Sequence, residues 1–140
     1  MTKARNSFED PMRPRLFTVK TRGEETANTL TFSLVPKSGL PFCFLPGQFN
    51  MLYLFGRGEV PVSVSGDPID TTHIVHTVRD AGSVTHGFMA LSPGDTIGIR
   101  GPFGKGWPME ELKGIGGFAL VIEMGALFYA NLFATAGDSL

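Results

Sequence analysis

Short runs of alternating apolar and polar residues, each closed by a glycine- or proline-bearing turn, are what most limits how this chain can fold. Over Arg15 to Arg22, Leu16, Thr18 and Lys20 fall on one face and Phe17 and Val19 on the other. Leu30, Phe32 and Leu34 alternate with Thr31, Ser33 and Val35, and a turn region from Pro36 to Pro41, with Gly39, follows. The aromatic-rich run from Phe49 to Phe55 reads as a central strand closed by Gly56 and Gly58. Val60, Val62 and Val64 alternate again, and Gly66-Asp67-Pro68 is a turn. His73 to Arg79 is a further strand with Ile74, His76 and Val78 on one side. Val84 to Leu91 reads as a short helix with Ser83 as its N-cap. Pro93-Gly94-Asp95 turns into a strand from Thr96 to Arg100, and Gly101 to Pro108 reads as a loop. Six short strands at roughly even spacing with one helix predict an all-β fold, a small six-stranded antiparallel barrel.

Composition agrees with that class. The 140 residues contain 18 glycines and 10 prolines, with 42% hydrophobic and 18% charged residues. This is ordinary globular chemistry with an excess of turn formers. A net charge of −1 gives no overall drive toward nucleic acid or anionic lipid. Before Glu59 the basic residues Lys3, Arg5, Arg13, Arg15, Lys20, Arg22, Lys37 and Arg57 outnumber the acids. A solvated strand face and a docking patch for an acidic partner both fit that skew. Cys43 is the single cysteine, which excludes a disulfide framework or a four-cysteine iron–sulfur ligand set within the chain. With no apolar leader at the N-terminus, a reducing, cytoplasmic setting is expected.

Few residues advertise chemistry on their own. Gly82-Ser83-Val84-Thr85 opens a helix, where free N–H groups and the helix dipole favour an anion. An ordinary capped helix start explains the same residues. Arg79, just upstream, is either a partner for phosphate charge or an exposed strand end. Ser63 interrupts an apolar strand, and its hydroxyl could bond the backbone or a ligand. His73, His76 and His86 have no metal-ligand spacing, and His76 reads as a satisfied semi-buried histidine. No nucleophile–base pair or carboxylate pair is visible, so any redox chemistry must come from a bound cofactor.

Taken in order, the segments Pro46-Gly47-Gln48-Phe49, Val60-Pro61-Val62-Ser63, His76-Thr77-Val78-Arg79, Gly82-Ser83-Val84-Thr85, Gly94-Asp95-Thr96 and Gly101-Pro102-Phe103-Gly104-Lys105-Gly106-Trp107 resemble the FAD-binding domain of the ferredoxin–NADP reductase superfamily. The phrase from Gln48 through Asp67 is most similar to the gamma, diaphorase-type subunit of NAD(P)-linked soluble nickel–iron hydrogenases and sulfhydrogenases. The corresponding subunit of anaerobic sulfite reductase and the dihydroorotate dehydrogenase electron-transfer subunit are similar too. The likeness covers about residues 13–113. It implies a six-stranded Greek-key barrel with FAD across its edge. In that pattern Ser63 bonds near flavin N5 and O4, Pro61 and Val62 pack on the isoalloxazine, and His76, Thr77 and Val78 line the flavin or adenosine side. Gly82, Ser83, Val84 and Thr85 form the pyrophosphate turn, and Gly101 to Gly104 lead toward a nicotinamide domain. Val60 and Val62 stand where the family often has an arginine for the pyrophosphate and a tyrosine on the ring; Arg79 is the candidate substitute.

The resemblance implies an electron-transfer oxidoreductase subunit that passes reducing equivalents between NAD(P)H and iron–sulfur or hydrogenase-type partner subunits. A non-catalytic barrel that docks on a redox complex without FAD is the alternative. An oligonucleotide-binding barrel is disfavoured by the near-neutral charge and the absence of an aromatic–basic face. Residues 1–12 are expected to be disordered. Residues 114–140 form an apolar tail in which Ile115-Gly116-Gly117 stands where the nicotinamide domain would begin, so the chain reads as a truncated or diverged form. From Gly116 to Ala136 the tail carries one acid, Glu123. Its length approaches the roughly 20 residues of a membrane span, but a buried strand followed by a helix is the favoured reading.

Overall fold

A computed structural model describes Asp10 and residues 12–108. The expectations for most of the N-terminus and for residues 114–140 lie outside the described residues.

Six strands close into one antiparallel barrel. They are β1 (Arg15–Thr26), β2 (Thr29–Pro36), β3 (Phe49–Leu54), β4 (Gly58–Ser65), β5 (Ile74–Arg79) and β6 (Thr96–Phe103), with helix α1 (Ser83–Phe88) between the last two. Around the barrel the order is β1-β2-β5-β4-β3-β6, with β6 pairing back onto β1. The six-stranded antiparallel barrel expected from the strand and turn spacing is therefore the observed one. Closure pairs every strand on both sides, least where β4 meets β5.

The alternation fixes which side chains fill the barrel. Phe17 and Val19 of β1, Leu30, Phe32 and Leu34 of β2, Leu52 of β3, Val64 of β4, Ile74 and Val78 of β5, and Ile97 and Ile99 of β6 are all buried. Each fully buried large side chain contributes about 1.5–3 kcal/mol relative to exposure. Phe88 of α1 meets Phe32 edge-on, with ring centroids 6.2 Å apart. The helix thereby caps one end of the core.

The ends of β1, α1 and β6 differ most from the sequence reading, each for a local reason. Strand β1 runs on to Thr26, because Arg22, Gly23 and Glu24 pair with Phe32, Thr31 and Leu30 in a long polar hairpin. Helix α1 starts at Ser83 with Gly82 as N-cap, and it ends at Phe88. Beyond Phe88 the bonds tighten to i→i+3, from Ala90 N to the Gly87 carbonyl and from Leu91 N to the Phe88 carbonyl. The Met89 carbonyl accepts instead from Arg22, at 3.1 Å. Strand β6 continues through Phe103, where a loop was expected. Its Gly101-Pro102 pair is absorbed as a bulge opposite Asn50, and pairing resumes at Phe49 and Phe103.

Candidate functional site

The segments singled out in the sequence converge at one side of the barrel. Strand β4 is fully paired with β3 from Phe49↔Ser63 to Leu54↔Gly58. With β5 it makes only two rungs, Val64↔His76 and Ser65↔Val75. Toward Val60 the two strands part, and α1 packs against β3, β4 and β5 there. The result is an opened seam bordered by β4, the end of β5 and the first turn of α1.

Ser63 sits where the seam opens. It is half-buried and its hydroxyl bonds no described residue. Pro61 is exposed on the same face. Val60 and Val62 are half-buried and pack, with Val84 of α1, against the core. The His76 and Val78 side chains lie on the inner face of the barrel. Both point into the barrel, at 0% and 1% exposure, because the pleat puts them in register with Ile74. Thr77 is buried and its hydroxyl pairs with that of Thr31 at 2.7 Å. Arg79 is exposed and pairs with no described residue.

The turn at α1 is built by one side chain. The Thr85 hydroxyl accepts from Ala81 N–H and Gly82 N–H, both at 2.9 Å, and donates to the Gly82 carbonyl at 3.1 Å. That exhausts the hydroxyl, so Thr85 shapes the turn and does not present a free group. Gly82 and Ser83 are exposed and Val84 is half-buried. The amides of Ser83 and Val84 belong to the first helical turn and have no intrahelical acceptor. His86 lies against Asp80, 2.9 Å from Nδ1 to Oδ2.

Two residues escaped the sequence reading. Arg57, in the turn between β3 and β4, reaches α1 and donates to the Ser83 carbonyl at 3.4 Å. Its stem also runs past Gly87. Nothing in the sequence separates it from any other exposed turn arginine. Asn50 is fully buried in β3. Its signal was present: it is the polar member of the inward series Asn50, Leu52, Leu54.

Asn50 and His76 form a buried pair, 3.1 Å from Nδ2 to Nε2. On its other side the imidazole lies 3.0 Å from the Ser63 carbonyl through Nδ1. A carbonyl only accepts, so Nδ1 carries the proton and Nε2 accepts from Asn50. The ring is therefore neutral. Burial pushes its pKa down to about 4, against a smaller upward pull from the Ser63 carbonyl.

The far rim joins the remaining motifs. Gln48 Nε2 donates to the Gly104 carbonyl and Trp107 N–H to the Pro46 carbonyl, both at 2.8 Å. Phe49 stacks on Phe103 with centroids 5.7 Å apart. The Pro46–Phe49 turn and the Gly101–Trp107 segment are thus one structural unit. Among the described residues no cluster of His, Cys, Asp or Glu could hold a metal ion, and no helix is long and apolar enough to cross a membrane.

Comparison with known proteins places these features. The gamma subunit of sulfhydrogenase 1 from Pyrococcus furiosus is 35% identical over 104 residues, covering 74% of this chain and 36% of that subunit. A probable dihydroorotate dehydrogenase B (NAD(+)) electron-transfer subunit from Methanocella arvoryzae is 38% identical over 96 residues, covering 69% of this chain and 34% of that one. The chain thus spans about a third of the length of these relatives. Among solved structures, the flavohem-like FAD/NAD-binding domain of nitric oxide dioxygenase from Vibrio cholerae superposes with a TM-score of 0.61. It is 22% identical and covers 66% of this chain and 45% of that chain. No protein-family model matches the chain.

Proposed function

We propose that this chain, a homologue of the sulfhydrogenase gamma and dihydroorotate dehydrogenase electron-transfer subunits with a ferredoxin–NADP reductase-type barrel, supplies the flavin-binding half of an electron-transfer oxidoreductase subunit. The observation that carries this reading is the opened β4–β5 seam. Beside its two rungs the seam leaves strand backbone without an inter-strand partner, next to half-buried Val60 and Val62 and the free hydroxyl of Ser63. Unspent main-chain groups beside apolar surface suit a flat ring with polar edges. FAD fits that description.

In this reading Ser63, Pro61 and Val62 receive the isoalloxazine, with Val60 beneath. Strand β5 contributes its backbone at Thr77 and Arg79, and His76 and Val78 support it from inside. The turn Gly82, Ser83, Val84 and Thr85 receives the pyrophosphate. Arg79 precedes that turn by three residues and Arg57 reaches into it, so two guanidinium groups replace the arginine that Val60 lacks. The chain's own residues would bind and orient FAD, which would supply chemistry that links two-electron to one-electron transfer. NAD(P)H would bind a second domain or a partner chain. Electrons would pass to iron–sulfur subunits of a hydrogenase- or sulfite-reductase-like complex, in a reducing, cytoplasmic setting.

The test is direct. Purified chain is mixed with FAD and desalted, and its visible spectrum and flavin fluorescence are recorded. A retained flavin band with quenched fluorescence is expected. A colourless protein would sink the reading and favour the second one, a barrel that docks on a redox complex without flavin. That second reading draws on Val60 and Val62 standing in place of arginine and tyrosine. Within the first reading, Arg79→Ala and Arg57→Ala are each expected to weaken FAD binding roughly tenfold. Titration of FAD fluorescence checks this, and an unchanged affinity removes that arginine from the site.

A further inference from the structure

The two polar side chains at 0% exposure, Asn50 and His76, link four strands in one chain of contacts, while buried Ser65, Thr77 and Thr85 lie outside it. On β6, a Cβ at Gly101 would strike the Asn50 carboxamide, so that amide lies directly against the Gly101-Pro102 bulge. Asn50, on β3, donates to His76 Nε2 on β5, and His76 Nδ1 donates to the Ser63 carbonyl on β4. Asn50 and His76 are both 0% exposed. The chain thus begins at the bulge that leads to Phe103 and Gly104 and ends at the residue where β4 leaves β5.

Its position is not explained by stability alone. Two fully buried polar side chains in a mainly apolar barrel cost desolvation free energy, and apolar replacements of similar volume are often neutral or better. Asn50 Oδ1 moreover has no hydrogen-bond partner among the described residues. What the pair does supply is direction. The ordinary β4–β5 ladder stops at Val64↔His76, so the next carbonyl along β4, that of Ser63, would lack a donor on that side. The imidazole N–H takes the place of the missing rung. The amide on its other side holds the ring in one tautomer and orientation.

We infer that Asn50 and His76 are positioning residues that lock the Ser63 backbone and the Gly101–Phe103 bulge into one rigid unit, so that the two rims of the flavin site keep a fixed relation. The inference rests on the flavin reading above, but its first test does not need flavin. If the chain is continuous, a change at one end is felt at the other.

The experiment uses the whole chain with three variants: Asn50→Leu, His76→Leu, and Val19→Ala as a control of reduced stability in β1, on the opposite side of the barrel. In the flavin-free protein, amide hydrogen exchange is followed at Phe103 and Val64. Asn50→Leu is expected to speed exchange at Val64, and His76→Leu at Phe103, each by roughly tenfold or more beyond the change that Val19→Ala produces. Exchange that changes only near the substituted residue, or equally in Val19→Ala, overturns the coupling. In the FAD-loaded protein, the flavin midpoint potential is measured together with the dissociation constant. Both β3 and β5 variants are expected to shift the potential and to raise the dissociation constant about tenfold, while Val19→Ala lowers the melting temperature and leaves the potential unchanged. His76→Gln, whose amide N–H can still reach a carbonyl, should restore part of the wild-type potential. Variants with a wild-type potential and spectrum overturn the positioning role even if they melt early. A wild-type chain that holds no FAD refutes the flavin reading, and the exchange data then decide the coupling separately.

Discussion

Gly101→Ala is expected to destabilise the barrel by on the order of 3 kcal/mol. Two independent terms add at this position. The backbone has φ of +140°, a region closed to residues with a side chain. A Cβ would also run into the Asn50 carboxamide, which is fully buried and cannot swing into solvent. Gly39 separates the two terms. Its φ is +72°, but nothing lies within 4 Å of the place its Cβ would take. Gly39→Ala should therefore cost only the left-handed penalty, about 1 kcal/mol. Urea unfolding of the two variants gives the comparison. The collision term has its own signature. Asn50→Ala removes the carboxamide, so Gly101→Ala should cost less in that background than in the wild type, a coupling of about 1 kcal/mol or more. Equal costs at Gly39 and Gly101, or strict additivity with Asn50→Ala, would show that the amide does not press on the bulge.

That prediction rests on a contact no strand pattern announces, and it marks where the sequence stopped being legible. Alternation at Phe17/Val19, at Leu30/Phe32/Leu34 and at Ile74/His76/Val78 correctly separates barrel interior from exterior, because a two-residue period leaves no third choice. The barrel and its strand count follow from those runs and the glycine- and proline-bearing turns between them. Boundaries were less legible where tertiary contacts override local chemistry. Gly101 and Pro102 read as a loop, yet the bulge opposite Asn50 keeps them in β6. Alternation is legible only to Arg22, yet Gly23 and Glu24 pair with Thr31 and Leu30 of β2. The candidate site was legible only through motif order. Ser63 and the Gly82–Thr85 turn are ordinary in isolation, and what sets them apart is that β4 and β5 separate between them. A partial ladder is a property of two strands together, so neither strand's sequence contains it. The same holds for His76. Its alternation with apolar neighbours predicted a satisfied, semi-buried histidine, and the barrel buries it completely. The resemblance has the His76–Val78 segment line the flavin or adenosine side, and the pleat turns the His76 side chain inward.

Because that histidine is neutral and buried, acid should unfold this barrel earlier than its carboxylates alone would require. In the unfolded chain an ordinary imidazole titrates near pH 6.5. In the folded barrel burial lowers this to about 4. The unfolded state therefore binds more protons throughout the interval between those values, and stability rises with pH across it. The contribution is fully present above about pH 6.5 and is lost as pH falls toward 4, amounting to about 3 kcal/mol over the whole interval. Protonation of the folded ring has a structural cost as well: Nε2 would have to donate toward the Asn50 Nδ2 group, which is itself a donor. The other groups facing acid do not confuse the window. Asp70 is held below the ordinary carboxylate range chiefly by the Thr72 hydroxyl, and its contribution is lost only as pH falls below about 3.8. The ion pairs His73–Asp70 and His86–Asp80 lie at the surface, where such pairs contribute little. Unfolding free energies measured by urea at intervals between pH 4 and pH 7 should thus fall steeply in the wild type. In His76→Gln, which has no group to titrate, the curve should flatten across the same range even if the variant is less stable at pH 7. A wild-type curve as flat as the variant's would mean that the ring is already solvated or protonated in the folded barrel, and the neutral Asn50–His76–Ser63 chain would then be wrong at its central link.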